Sequence, residues 1–222
     1  MNVAMILAAG RGERLKPLTE RIPKALCIVN GKPLIEHHVI NLAKAGFEKL
    51  VVNHAYLGGK IRQYLGDGTR YGVTISYSPE PPGGLETGGG IVKALPLLGD
   101  CPFLTVNADI YTDFDFTSLN MEQVTSMHLI LTNKNPSLQH HGDFSLVNGN
   151  QLNNENPEYT FAGIAAYHPR IFSTCKQGRY SVAPLIRYHT AQNKATGSLH
   201  HGAWYDIGSM ERLIAANRFF SQ

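Results

Sequence analysis

The sequence predicts an α/β fold: a single domain built on a mostly parallel central sheet with helices on both faces. Short apolar runs bounded by glycine or polar residues alternate with segments of helical periodicity through the first half of the chain. That β-α-β-α order winds helices onto both sides of a parallel sheet. The chain has 222 residues, with no repeat, low-complexity tract or long linker. It therefore suits one large domain better than two.

The elements follow in order. Val3–Leu7 is an apolar run ending at a glycine turn and reads as a buried parallel strand. Pro33 opens a helix whose apolar stripe is Ile35, Val39, Leu42 and Ala43, and Gly46 closes it. Leu50–Asn53 follows as a strand and Leu57–Leu65 as a helix, ended by the turn Gly66-Asp67-Gly68. Val73–Tyr77 reads as a strand, Gly90–Leu98 as a helix and Pro102–Val106 as a fourth strand. In the second half Ser126–Thr132, Phe144–Val147 and Thr160–Tyr167 read as strands, with Asn148–Asn156 as a polar connection. Val182–Thr190 and Met210–Phe220 read as helices, the last with Ser209 as its N-cap.

Composition narrows the class. Hydrophobic residues make up 43% and charged residues 17%, an ordinary globular balance. No apolar run approaches the ~20 residues of a membrane span. Met1–Leu7 leads straight into a glycine turn, which is no signal peptide, so a cytoplasmic protein is expected. The net charge of +3 is scattered and offers no surface for nucleic acid or membrane. Cys27, Cys101 and Cys175 are odd in number and form no Cys-x-x-Cys, which excludes a disulfide framework and suits a reducing compartment. The pairs His37-His38, His140-His141 and His200-His201 are poor chelates, since adjacent side chains on a strand point apart, and zinc-site spacing is absent.

The chemistry concentrates in AAGRGERLKPLTERIPK, residues 8–24. Gly10-x-Gly12-x-x-Leu15 supplies two of the three glycines of a dinucleotide fingerprint, with Leu15 at the third place. Pro17 disfavours helical geometry at Lys16, so the helix start that a pyrophosphate needs is missing. No G-x-x-x-x-G-K-[ST] occurs either. What remains is a glycine-bearing loop with Arg11, Arg14, Lys16, Arg21 and Lys24. Backbone N–H groups of such a loop approach an anion closely, and the cations neutralise phosphate. A solvated surface loop is the other reading these residues leave open.

From Leu7 to Leu26 the stretch resembles the signature of the sugar-phosphate nucleotidyltransferases, (L)-A-A-G-x-G-x-R-L-x-P-L-T-x-x-x-P-K-x-L. Gly31–Leu34, Leu85-Glu86-Thr87-Gly88-Gly89, Asn107-Ala108-Asp109 and Trp204–Gly208 extend the resemblance along the chain. It implies a Rossmann-like α/β/α nucleotidyltransferase domain over 1–222, with a nucleotide-binding half of about 1–115 and a sugar-binding half of about 116–222. It also implies an enzyme that joins a sugar 1-phosphate to a nucleoside triphosphate with release of pyrophosphate, using Mg²⁺. Val52–Gly58, Leu85–Gly90 and Lys93–Gly99 look like the branch that takes UTP and N-acetylmuramate 1-phosphate in peptidoglycan recycling. Members that make GDP-mannose share most of these motifs, and a non-catalytic sugar-nucleotide sensor is the reading from another class. Oligomeric state stays open.

The resemblance implies roles residue by residue. Two anions must be brought together, which needs cations. Arg14 would grip the triphosphate with its fork, and Lys24 would bridge phosphates as a point charge. Ala8, Ala9, Gly10 and Gly12 would line the phosphates; Glu80, Thr87 and Gly88 would shape the base pocket, with the glycines leaving room for a flat base. Asp109 and Asp206 would hold Mg²⁺, which prefers oxygen ligands. Asn107, Gly163 and Glu155 would face the sugar, although Glu155-Asn156-Pro157 lacks the lysine of the family's Glu-Lys-Pro. Arg179, Arg187 and Lys194 are the candidates to meet a lactyl carboxylate, and the sequence does not choose among them.

Overall fold

The computed structural model describes residues 2–133 and 142–220, without the side chain at 220. The pair His140-His141 lies outside the described residues. In chain order the elements are β1 (Asn2–Leu7), α1 (Leu18–Arg21), β2 (Ile28–Val29), β3 (Lys32–Pro33), α2 (Leu34–Lys44), β4 (Phe47–His54) and α3 (Gly58–Leu65). There follow β5 (Thr74–Pro79), α4 (Glu86–Leu98), β6 (Phe103–Asn107), β7 (Ile110–Thr112), β8 (Met127–Asn133), β9 (Ser145–Val147), β10 (Gln151–Asn153) and β11 (Tyr159–Tyr167). The chain ends with α5 (Ala183–Ala191), β12 (Ala195–His200), β13 (Trp204–Asp206) and α6 (Met210–Phe220).

Nine strands form one sheet in the order β5-β4-β1-β6-β11-β8-β12-β10-β9. β5, β4, β1 and β6 are parallel neighbours, β8 and β12 are parallel, and β10 and β11 alone oppose the rest. The sheet is thus mostly parallel, as expected. β1 shows why helices cover both faces. Its side chains alternate, and Ala4 and Ile6 pack with Ile35, Val39, Ile61 and Leu65, while Val3 and Met5 pack with Ile91, Ala94 and Ile186. With both faces apolar the strand has no polar alternation, which is what a parallel strand between helix layers requires.

Three differences from the sequence expectation have physical causes. Helix α4 begins at Glu86, a turn before Gly90, because the Gly88 and Gly89 N–H groups donate to the Tyr180 carbonyl at 2.9 and 3.1 Å. Those bonds satisfy donors that a helix start leaves free, and they offset the poor helix propensity of three glycines. β10 interrupts the polar connection 148–156, held by pairing to β9 and β12 rather than by its own pattern. β12 was not foreseen, since ATGSLH alternates weakly; pairing with β8 makes it a strand. No described helix is long and apolar enough to cross a membrane, and all three cysteines are free thiols.

Candidate active site

The parallel strands β1, β4 and β6 end together, with Leu7 in register with Asn53 on one side and Asn107 on the other. Loops leaving these carboxyl ends enclose a cavity of about 360 Å³. Its walls are lined by Ala8, Ala9 and Gly10 from the loop after β1, by Glu86 and Thr87 from the start of α4, and by Lys24 and Asp109.

The glycine-bearing loop has the build its residues suggested. Lys16 is extended (φ −63°, ψ 145°), so no helix starts here to receive a pyrophosphate. Gly12 is left-handed at φ +70°, and a Cβ there would lie 3.0 Å from Lys24 Cβ and from Thr19 Cγ2. Its carbonyl accepts the Thr19 hydroxyl at 2.8 Å. Gly12 therefore seats Lys24 rather than lining the cavity itself, a correction to its expected role. The buried Lys24 ammonium lies 2.6 Å from Asp109 Oδ2. Arg11 and Lys16 are both paired with Glu13, at 2.7 and 2.5 Å, and Arg11 also stacks over Tyr56.

A buried chain of hydrogen bonds ties the two walls. The Ala8 N–H donates to Asn53 Oδ1 at 2.7 Å, Asn53 Nδ2 donates to Glu80 Oε1 at 2.6 Å, and the Leu85 N–H donates to Glu80 Oε2 at 2.6 Å. Both ends are backbone donors, so Asn53 must turn its oxygen to Ala8, and Glu80 must accept at both oxygens. Glu80 therefore shapes the wall through Asn53 and Leu85. Gly90 leaves the space these side chains occupy, for a Cβ would come within 2.6 Å of Glu80 Oε1.

Gly88 also requires correction. A Cβ on Gly88 would meet the Tyr180 ring at 2.7 Å, and one on Gly89 would meet the Gly178 carbonyl at 1.9 Å. The room these glycines make is filled by the chain's own segment 178–180, not by a base. Thr87 does line the cavity, and its hydroxyl accepts the Val182 N–H at 2.9 Å. Glu86 sits at φ +60° on the cavity wall, with Arg179 Nε 3.3 Å from its Oε1.

The two aspartates, distant in the chain, come to adjacent backbone positions. β13 pairs with β7 so that Asp206 faces Ile110, and the Ile207 N–H donates to the Asp109 carbonyl at 2.9 Å. A small apolar cluster joins this segment to the glycine loop, with Leu15 and Ile207 both fully buried beside Leu34 and Leu213. Their neighbours Arg14 and Asp206 are carried along. A Cβ on Gly208 would lie 3.0 Å from the guanidinium groups of Arg14 and Arg212 and 3.2 Å from Asp206 Oδ1. Arg212 pairs with Asp206 Oδ2 at 2.5 Å, whereas the exposed Arg14 guanidinium makes no bond to any described residue.

Each aspartate keeps one oxygen, Oδ1, without a bond to any described residue. Two hard oxygen donors with open positions suit a divalent cation that completes its shell with phosphate and water. Among the described residues no group of three or more His, Cys, Asp or Glu side chains gathers around a metal position. Three of the described histidines serve the scaffold. His37 bonds the Val29 carbonyl and His38 the Ile110 carbonyl, while His200 pairs with Asp113. Complete burial pushes His38 down to about 4 from its ordinary 6.5, so its neutral ring donates from Nε2 to Ile110, the residue beside Asp109.

A second cavity of about 240 Å³ shares Leu7, Thr87 and Asn107 with the first. Gly163, left-handed at φ +76°, leaves room for Asn107, whose Nδ2 would be 2.7 Å from a Cβ there. Gly163 thus acts through Asn107. Glu155 is another correction: it is exposed on the turn after β10 and lines neither cavity. Its backbone is held by Asn153 and Ser145, local bonds that keep it at the far end of the sheet.

Sequence reasoning gave Arg212 no role, set the pair His37-His38 aside as a poor chelate and placed Asn53 only at the end of a strand. Asn53 ends a strand on the ligand side, a signal that was present. His38 acts through a bond to Ile110, 72 residues away, and Arg212 through a bond across the turn to Asp206, six residues before it, which no motif marks.

The nucleotidyl transferase family profile matches residues 3–132. The chain is 48% identical to an N-acetylmuramate alpha-1-phosphate uridylyltransferase of Neisseria meningitidis serogroup B, over 96% of both chains. It is 31% identical to a protein of the same description from Caulobacter vibrioides, covering 97% of this chain and 95% of that one. Among solved structures, a UDP-glucose pyrophosphorylase complexed with UDP-glucose superposes with a TM-score of 0.78 at 20% identity, covering 100% and 98% of the two chains. HddC from Yersinia pseudotuberculosis, complexed with GMP-PN, superposes at 0.80 and 19% identity, covering 99% and 100%. At these identities the superpositions speak to the fold.

Proposed function

The chain belongs to the nucleotidyl transferase family, and on that premise we propose that it condenses UTP with N-acetylmuramate 1-phosphate to UDP-N-acetylmuramate and pyrophosphate. The Lys24–Asp109 ion pair carries this reading, because both residues line the first cavity together with the Asn107 shared with the second. The substrates are those in the printed names of the two relatives.

The reaction needs no proton abstracted, since a sugar phosphate oxygen is already anionic at neutral pH and attacks the α-phosphorus in line. Catalysis then rests on positioning and charge. The Ala8 N–H is engaged by Asn53, while Ala9 and Gly10 line the cavity with N–H groups that bond no described residue and face a phosphate's needs. Lys24 offsets the two approaching phosphates, and Arg14 grips the triphosphate from the loop edge. Asp109 and Asp206 fit Mg²⁺, which when bound neutralises charge building on the α-phosphate and the leaving pyrophosphate. The first half, about 1–115, takes the nucleotide and the second, about 116–222, the sugar; Arg179 reaches back across that division into the first cavity. A reaction fed by nucleoside triphosphate, in a chain with three free thiols, suits the cytoplasm.

A panel of sugar 1-phosphates with UTP and GTP, read by pyrophosphate release, tests this. N-acetylmuramate 1-phosphate with UTP is the expected best pair. Turnover of mannose 1-phosphate with GTP alone rejects the substrate assignment, and nucleotide binding without any turnover marks a sensor.

A further inference from the structure

We propose that Arg187 recognises an anionic substituent on the sugar and makes the second cavity selective for N-acyl amino sugar 1-phosphates that carry a carboxylate. The inference rests on the substrate reading above and adds the residue that enforces it. N-acetylmuramate differs from N-acetylglucosamine by a lactyl ether, whose carboxylate needs a cation in any site that prefers it.

Three cations were open from sequence, and the fold separates them. Arg179 lines the nucleotide cavity, where Glu86 offsets its charge. Lys194 lines a different cavity, beside Asn120 and His128. Arg187 lines the second cavity, which continues from the first through Leu7, Thr87 and Asn107. A sugar whose phosphate lies near Asn107 and Asp109 extends into that space.

Arg187 is also held ready. Its helix α5 is tethered to α4 by the Val182 N–H on the Thr87 hydroxyl, and its own carbonyl accepts from Asn154 at 3.0 Å. The guanidinium lies over the Phe144 ring, 5.2 Å from its centroid, in a cation–π contact. Nη1 makes one long bond, 3.5 Å, to the Asp143 carbonyl, and no described carboxylate pairs with the guanidinium. Most of its donors therefore remain for a ligand, in the fork geometry that fits a carboxylate. Asp143 is the one carboxylate among the described residues of this lining, and its Oδ2 accepts the Phe161 N–H at 2.8 Å. Ile91, Phe161 and Ile186 supply apolar walls for the acetyl methyl group and the sugar ring faces.

The test compares kcat/KM for N-acetylmuramate 1-phosphate and N-acetylglucosamine 1-phosphate, each with UTP and Mg²⁺, in the wild type, Arg187→Ala, Arg187→Gln and Arg187→Lys. The expected result is a fall of about 30-fold in the ratio of acidic to neutral sugar in both the Ala and Gln variants, matching the loss of a charged hydrogen bond. The fall resides in KM for the acidic sugar, and Lys restores part of it. Gln keeps a polar side chain over Phe144, so agreement of Gln with Ala separates charge from folding. An unchanged ratio in these variants, with a wild type that turns over the acidic sugar, overturns the role of Arg187. A wild type that does not use the acidic sugar overturns the substrate reading instead, and this inference with it.

Discussion

The Lys24 ammonium meets the Asp109 carboxylate at 2.6 Å, across 85 residues of sequence. Lys24 lies at the end of the glycine loop and Asp109 in the turn two residues past strand β6, so the pair joins two segments that both line the cavity. Lys24→Ala removes the buried cation while leaving Asp109 in place. Turnover is expected to fall by about 100-fold or more, comparable to losing one preorganised electrostatic donor. Steady-state pyrophosphate release checks this, and a near-normal rate contradicts the assigned role.

Asp206 is held by Arg212 on one oxygen and leaves the other open beside Gly208. Asp206→Ala is expected to reduce turnover by about 100-fold and to raise the Mg²⁺ concentration needed for half-maximal rate. A Mg²⁺ titration of the wild type and variant decides this. A variant with an unaltered titration leaves Asp206 a structural partner of Arg212.

Glu80 accepts two donors in a chain that ends on backbone N–H groups at both sides. Glu80→Gln cannot satisfy that chain, because one amide N–H must face another donor. The expected cost is about 2–3 kcal/mol of stability, with a rise in KM for UTP as the walls separate. Urea unfolding measures the first and initial rates the second; wild-type values for both would mean the network is dispensable.

His38 makes stability depend on pH. Its folded value lies near 4 and its ordinary value at 6.5, with burial as the main cause; the Ile110 hydrogen bond and Asp109 oppose it, and His37 reinforces it. Between those values the unfolded chain takes up a proton that the native ring refuses. Stability therefore is full above pH 6.5 and falls as pH drops toward 4, by about 3 kcal/mol at most from this group. Burial also lowers His54 and His128, which add to the slope. His38→Gln keeps a donor for the Ile110 carbonyl without a titrating ring. Denaturant midpoints from pH 7 to 4 are expected to decline less steeply in this variant, and an equal slope removes His38 from the account.

Much of the fold was legible because parallel strands between helix layers declare themselves as apolar runs, and glycine or proline marks the ends. β1, β4, β6 and α2 lie where their residues suggested. The ladder β7–β13 and strand β12 were not legible: their residues have weak patterns, and partners remote in sequence make them strands. The same division runs through the site. Lys24, Asp109 and Asp206 could be named from their motifs, while Arg212, the acceptor chain through Asn53 and Glu80, and the filling of the Gly88–Gly89 space by Tyr180 could not.

By itself, then, the sequence determined the layered architecture, the family and the chemical types of the reacting groups, since these follow from local periodicity and contiguous motifs. Only the tertiary structure decided which glycines line the cavity and which pack against the chain, that Asp206 comes beside Asp109, and that Arg187 rather than Arg179 or Lys194 lines the second cavity. Those are distances between segments far apart along the chain. Sheet pairing and the burial of residues such as Leu15 and Ile207 set them, and neither quantity is written in any one stretch of residues.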